Sequence, residues 1–297
     1  MTGIRAHFRR ALMRSETLAG YTLLSPALIL LIAAMATPLV VLVVLSLWTQ
    51  QAGMTFDRSP SLFNYDAIFA KSIYAHVLLR SLAISAAVAL TTVLLAYPVA
   101  YFIAFRIRRQ KIIWLILITL PFWTSYLLRV FSWKLILGYN GVINSGLIWL
   151  GVIDRPLEFI LYNVTAVVIT LAHAWAAFAI LPIYVSLEKI DRSLVEAAQD
   201  LGEAPIMTFL RVTLPLSMPG VVAATLLVFI PTVGDYVTPK LVGGANGIMI
   251  GNLIQLSFGR ANDWPLGAAL AVVSMLAITL VVCLFLGGVG QLKRRLG

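Results

Sequence analysis

Six stretches of this chain, near positions 19–48, 77–105, 112–136, 160–187, 214–234 and 266–290, are long and almost uninterruptedly apolar. About twenty apolar residues in a helix cross the roughly 30 Å of a bilayer's hydrocarbon core. No water is available there to bond free N–H and C=O groups, so a crossing segment must satisfy its own backbone. The expectation is an all-α membrane protein with six transmembrane helices. The first and fourth stretches are long enough to tilt or to protrude.

Composition agrees with that reading. Charged residues are 11% of the 297, against roughly 25% in a soluble domain. Too few polar groups exist to cover a water-facing surface, so lipid must be the solvent over most of the area. The single cysteine, Cys283, lies in an apolar run; it excludes an intramolecular disulfide and reads as packing. A formal charge of +10 would suggest nucleic acid in a soluble protein. Here the basic residues flank apolar segments and no nucleic-acid-binding motif is present, so the charge reads as topology.

One side of the spans collects Arg5, Arg9, Arg10, Arg14, Arg106, Arg108, Arg109, Lys111, Lys189, Arg192, Arg211, Lys293, Arg294 and Arg295. These are fourteen of the 22 Lys and Arg, so that side should be cytoplasmic and should hold both termini. Ala34-Met35-Ala36 resembles a signal cleavage site, but the apolar run continues to Trp48. A signal h-region is only about 7–15 residues long, so an uncleaved first span is expected. The spans form a single transmembrane domain, 1–297, with a cytoplasmic loop at 188–213. The exterior segments 49–76, 137–159 and 235–265 are rich in Gly, Asn and Pro, and Leu147–Ile153 reads as an interfacial or re-entrant piece.

The loop between the fourth and fifth spans is the most informative segment. Ser193 followed by Glu196 reads as a capping box with Ser193 as N-cap. Leu194, Ala197, Ala198 and Leu201 then fall on one helical face. Gly202 follows, where a left-handed C-terminal cap costs no Cβ clash. Pro205 suits the first turn of a second short helix, 206–211, and Leu214-Pro215 opens the fifth span. An amphipathic helix with a small-residue face can dock into a groove on another protein; an ordinary helical hairpin at the membrane surface is the plainer reading.

Glu196-Ala197-Ala198, then Gly202, then Val212-x-Leu214-Pro215 resembles the EAA signature of bacterial ABC importer permeases, with Val212 where the family has Ile. The resemblance implies a type I ABC importer permease fold in the bacterial inner (cytoplasmic) membrane. It also implies that Glu196, Ala197, Ala198, Leu201 and Gly202 belong to a coupling helix seated on an ATPase subunit. The implied partners are a second permease, two ATPase subunits, an extracytoplasmic solute-binding protein and membrane lipid, but not nucleic acid. No cofactor is expected in this chain; ATP and Mg would sit on the ATPase subunits. Consistent with that, the chain lacks G-x-x-x-x-G-K-[ST]. Pro121-Phe122-Trp123-Thr124-Ser125-Tyr126-Leu127-Leu128-Arg129, Gly234-Asp235-Tyr236-Val237-Thr238-Pro239 and Asp263-Trp264-Pro265-Leu266 are similar to spermidine/putrescine permeases, of the first-permease type. The solute implied is a polyamine or a related organic cation. Other members of the subfamily move other small solutes, such as opines or amino-acid derivatives.

Ionisable groups at membrane depth are functional candidates, because burying them there is expensive. Asp235 follows Pro231 and Gly234, which can break the helix so that backbone lines a cavity. Two readings stand: a carboxylate that attracts an ammonium group, or an ion-pair partner of Arg129 or Lys134. His173, in the fourth stretch, either lines the pathway or makes an interhelical hydrogen bond. Trp123, Tyr126, Trp133 and Tyr236 would form a cation–π wall for a polyamine, or belong to interfacial belts. No catalytic constellation is visible, so no enzyme is expected. A secondary transporter driven by an ion gradient would need repeat symmetry and paired broken helices, and neither is evident.

Overall fold

Two prolines, Pro26 and Pro38, lie inside a 31-residue helix, α1 (Glu16–Ser46), without ending it. The computed structural model describes residues 16–51 and 55–296, so Arg5, Arg9, Arg10 and Arg14 lie outside the described residues. The 49–76 segment contains an antiparallel pair, β1 (Thr49–Gln50) with β2 (Phe56–Asp57), and a short helix, α2 (Phe63–Ala70). This pair is confined to the loop that follows α1, and the fold is helical as expected. Asn64 Nδ2 donates to the carbonyls of Ser46 and Trp48 at 3.0 and 2.6 Å, satisfying acceptors that the end of α1 leaves free.

α3 (Ser72–Tyr101) runs into a π turn, Phe102–Arg106. After it come α4 (Lys111–Thr119), α5 (Tyr126–Leu137) and α6 (Val142–Trp149). α7 (Val164–Glu188) starts at Asn163, whose side chain accepts from Ala166 N at 3.0 Å. The loop helix is α8 (Arg192–Asp200). Next, α9 (Pro205–Thr208), a second π turn (Phe209–Thr213) and α10 (Leu214–Val233) form one continuous rod. The expected short helix and fifth span are thus joined. α11 (Val237–Val242), α12 (Ile250–Phe258) and α13 (Trp264–Leu296) complete the chain.

The core is formed by α3, α7 and α10, and α1 packs chiefly along α13. Lipid tails are as apolar as leucine, so membrane helices associate through small residues that let backbones approach. The buried positions follow that rule: Ala89, Ala96 and Ala100 on α3, Ala166, Ala174 and Ala177 on α7, Ala224 on α10. At Gly220 a Cβ would lie 2.5 Å from the Pro182 carbonyl oxygen and 2.6 Å from Ser186 Oγ, so α10 meets α7 there only because the residue has no side chain. Buried hydroxyls donate back along their own helices, Thr92 to Val88 O at 2.6 Å and Thr232 to Val228 O at 2.6 Å. Ser81 also accepts from Ile250 N at 2.7 Å, tying α12 to α3.

Among the described residues, five helices are long and apolar enough to cross a membrane, matching five of the six expected spans. The third expected span, 112–136, is not one helix. Lys111–Trp123 and the segment from Tyr126 meet at 85°. Pro121 lacks the N–H that would continue the ladder. Thr124 Oγ1 takes the Pro121 carbonyl at 2.7 Å, and Thr124 and Ser125 are extended. The 147–153 stretch, read as interfacial or re-entrant, supplies the end of α6 within the same bent element.

Candidate functional site

The two candidate regions lie at opposite ends of the helix bundle. At the basic end, α8 begins two residues earlier than the sequence suggested. Its N-cap is Asp191, whose carboxylate accepts from Ser193 N at 3.0 Å; Ser193 does not cap, and the expected box with Glu196 is not formed. Asp and Ser are both good cap residues and stand two places apart, and Asp191 already has the extended backbone that a cap requires. The Ser193 N–H, followed by its hydroxyl, holds the Asp191 carboxyl below the usual carboxylate range.

The helix ends at a left-handed glycine. Gly202 has φ +87°. Its N–H donates to Gln199 O at 2.9 Å, and Glu203 N donates to Ala198 O at 3.1 Å. This double bond pattern is a Schellman cap. Arg211 then pairs with Glu203 at 2.5 Å, fixing the turn against the second π turn. Because α8 turns back sharply at both ends, its apolar face stays outward. Leu201 is 86% exposed and Leu194 50%, while Glu196 and Ala197 are exposed and Ala198 half-buried. An amphipathic helix that keeps its apolar side off its own protein presents a docking surface.

At the other end, α10 stops at Gly234. Asp235 Oδ1 accepts from Val237 N at 2.9 Å and Thr238 N at 3.4 Å, taking two of the N–H groups left free at the start of α11. Its second oxygen accepts from Tyr126 Oη at 2.5 Å, and the same hydroxyl meets Thr238 Oγ1 at 2.7 Å. The helix break before α5 brings Tyr126 to this position. Neither expected ion pair is formed: among the described residues, Asp235 pairs with neither Arg129 nor Lys134. Arg129 Nη1 donates to Ala174 O at 3.3 Å, and its guanidinium lies 4.9 Å from the Phe122 ring centre. His173 is exposed on α7, accepts from Trp133 Nε1 at 3.1 Å through Nδ1, and stacks on Phe122.

The expected aromatic wall therefore divides. Tyr126 belongs with Asp235, and Trp133 with His173. Tyr236 is half-exposed and lends its carbonyl to Asn252 Nδ2 at 2.8 Å. Trp123 is 78% exposed and makes no ring contact among the described residues. Thr238 and Asp191 were not singled out from sequence. The proximity of Asp191 to Ser193 was the only available signal for the latter. No group of three or more His, Cys, Asp or Glu that could hold a metal ion occurs among the described residues. An apolar groove of about 440 Å³ between α3, α10 and α13 includes Val93, Val221 and Val281, and is separate from both candidate regions.

Residues 26–295 match the family of the binding-protein-dependent transport system inner membrane component. The chain is 39% identical over 213 residues to the spermidine/putrescine transport system permease protein PotB of Salmonella typhi, covering 72% of this chain and 74% of that one. It is 36% identical over 234 residues to the protein of the same name from Haemophilus influenzae, covering 78% and 81%. Its fold is similar to that of a bacterial ABC transporter involved in the import of the acidic polysaccharide alginate, with a TM-score of 0.71 at 15% identity, over 97% of this chain and 99% of that one. The chain belongs to the family of binding-protein-dependent transport system inner membrane components, and it is a transmembrane permease subunit of an ABC importer.

Proposed function

We propose that this permease moves a polyamine or a related small organic cation across the bacterial inner membrane by alternating access. It does so together with a second permease, two ATPase subunits that carry ATP and Mg, and an extracytoplasmic binding protein. Both termini face the cytoplasm, on the side where the basic residues collect. The identity to proteins named as spermidine/putrescine permeases supports the solute class. α8 docks on the ATPase through Leu194, Ala197 and Leu201, with Glu196 free for a polar contact and Gly202 setting the turn. The observation that carries this reading is the outward apolar face of α8 between two well-formed caps. When the ATPase subunits close on ATP, α8 moves with them and rigid movement of the spans opens the pathway. Asp235, Tyr126, Tyr236 and His173 line the exterior half of that pathway, with Trp123 at its edge.

The test is ATP hydrolysis by the reconstituted complex. Stimulation by spermidine- or putrescine-loaded binding protein is the expected result; stimulation only by an opine or an amino-acid derivative would overturn the solute class. One observation favours that second reading. Arg129 has no acidic partner among the described residues and stands beside the Tyr126–Asp235 pair, an arrangement suited to a solute carrying a carboxylate as well as an amine. Reporter fusions at Gly297 and in the 49–76 loop should report opposite sides of the membrane; identical locations would overturn the orientation.

A further inference from the structure

α8 is tied to the spans through one peptide oxygen. The π turn at the end of α3 closes with Ile107 N donating to Phe102 O at 3.3 Å, and Ile107 is extended. The carbonyl of Ala104 is thereby left without a helical N–H, although Ala104 is only 3% exposed. Two cationic donors take it: Lys111 Nζ at 3.0 Å and Arg192 Nη2 at 3.0 Å. Lys111 also bonds both carboxylate oxygens of Glu188, at 2.7 and 2.8 Å. The first residue of α4 and the first of α8 thus meet at a single acceptor in the π turn after α3, and the last residue of α7 is joined to it through Lys111.

The link continues inward. The Arg192 guanidinium lies 5.8 Å from the Phe105 ring centre. Phe105 packs on Tyr101 at 4.8 Å, Tyr101 meets Phe209 edge-on at 6.2 Å, and Phe209 meets Tyr97 at 5.5 Å. Tyr97 Oη and Ser217 Oγ are 2.8 Å apart. Phe209 opens the second π turn, at the base of α10. The aromatic stack therefore joins the two π turns, and π turns are places where a helix can change pitch.

We propose that Arg192 is a positioning residue that makes α8 and the basic end of α3 move as one body, passing ATPase movement to α3 and α10. The proposal rests on the reading of α8 as the docking helix. Lys111 alone would satisfy the Ala104 carbonyl. A second charged donor, reaching from α8 across 88 positions of sequence, adds a mechanical link between loop and span. Charge-assisted hydrogen bonds are short and directional, so they resist the sliding that apolar contacts permit.

The experiment uses the whole complex in lipid nanodiscs, with spin labels at Gln199 on α8 and Leu95 on α3 in a Cys283→Ser background. Both positions are exposed, and Cys283 is the chain's one cysteine. With Arg192 present, the label distance should stay narrow and unchanged when ATP is added. Arg192→Ala should retain the ATPase subunits, but its distance distribution should broaden and shift on ATP addition. Arg192→Lys, which keeps a charged donor, should restore the narrow distribution. Lys111→Ala should show a smaller shift than Arg192→Ala. A narrow, ATP-insensitive distance in Arg192→Ala would overturn the proposal. So would loss of the assembled complex in both Arg192→Ala and Arg192→Lys, which would mark Arg192 as needed only for the loop to fold. Failure of the docking reading looks different: Gly202→Val would then retain the ATPase subunits and transport normally.

Discussion

α1 and α7 are both long apolar helices, yet they occupy opposite environments. α1 is the more apolar of the two, and none of its central window is buried; for α7 the buried share is 50%. In water the greasier helix would be the inner one. In lipid, apolar side chains gain nothing by leaving the tails, and packing is decided by how closely two backbones can approach. α1 turns Leu, Ile and Val outward, Leu30 at 72% exposure among them, while α7 offers Ala166, Ala174, Ala177, Ala179 and Thr170 to its neighbours.

The sharpest break in that comparison is a side chain placed where α10 touches α7. Gly220→Leu should abolish the folded complex, because even a Cβ would meet the Pro182 carbonyl. Gly220→Ala should cost about 1–3 kcal/mol, the usual penalty for overpacking. Size-exclusion profiles and thermal unfolding would show this, and a monodisperse, stable Gly220→Leu protein would refute the close approach.

Tyr126→Phe comes next. It removes the hydroxyl from the Asp235 carboxylate, a hydrogen bond to a charged group worth about 1.5–3 kcal/mol. Stability and uptake should both fall. Asp235→Asn should be milder in stability, because its amide oxygen can still accept from Val237 N. Equal stability of Tyr126→Phe and the native protein would mean that the pair contributes little to holding α5 against α11.

Gly202→Val tests the loop instead of the bundle. A Cβ there meets nothing within 4 Å, so the cost is backbone strain alone, about 1–2 kcal/mol, confined to α8. Membrane levels should be normal, and co-purification of the ATPase subunits should drop. Glu196→Lys should weaken the same association by reversing an exposed charge, since Glu196 takes no part in the cap.

A smaller effect follows from Asp191. Its folded pKa lies below the ordinary value of 3.8, so its stabilisation is fully present above that value and is lost as pH falls through the folded pKa. ATPase association should therefore be independent of this cap between about pH 6 and 8 and weaken through it only below about pH 4. A loss of association at pH 6 would have to come from another group. The smallest expected effect is on α1, where Val41→Leu should stay within about 0.5 kcal/mol of the native stability. A large loss there would show that α1 is packed more firmly than its exposure indicates.

Five spans were legible in the sequence because transfer into lipid depends on composition and length, and both can be read along the chain. The break at Thr124-Ser125 was not, because Pro26, Pro38, Pro98 and Pro182 lie inside helices that continue. What distinguishes Pro121 is the extended backbone three and four residues later, together with a local Thr124 bond. Within the loop, the turn at Gly202 was legible, because its conformation favours glycine. The cap was misassigned because Asp191 and Ser193 satisfy the same rule. The Asp235–Tyr126 contact spans 109 positions, and local pattern carries no information at that range.

The second π turn has a consequence for the faces of the rod from α9 to α10. A hydrogen bond from residue i to i+5 encloses one residue more than the ordinary i to i+4 bond. Each residue of an α-helix turns the chain by about 100°, so one surplus residue rotates everything beyond it by that amount. The side that Ile206 presents to solvent at the basic end, 74% exposed, is therefore out of phase with the side on which Ala224 and Val228 are buried. A single helical wheel drawn from Pro205 to Val233 would smear two separate stripes into one. Removing one residue between Phe209 and Thr213 would take out the surplus, leaving a regular helix whose two ends keep their present faces.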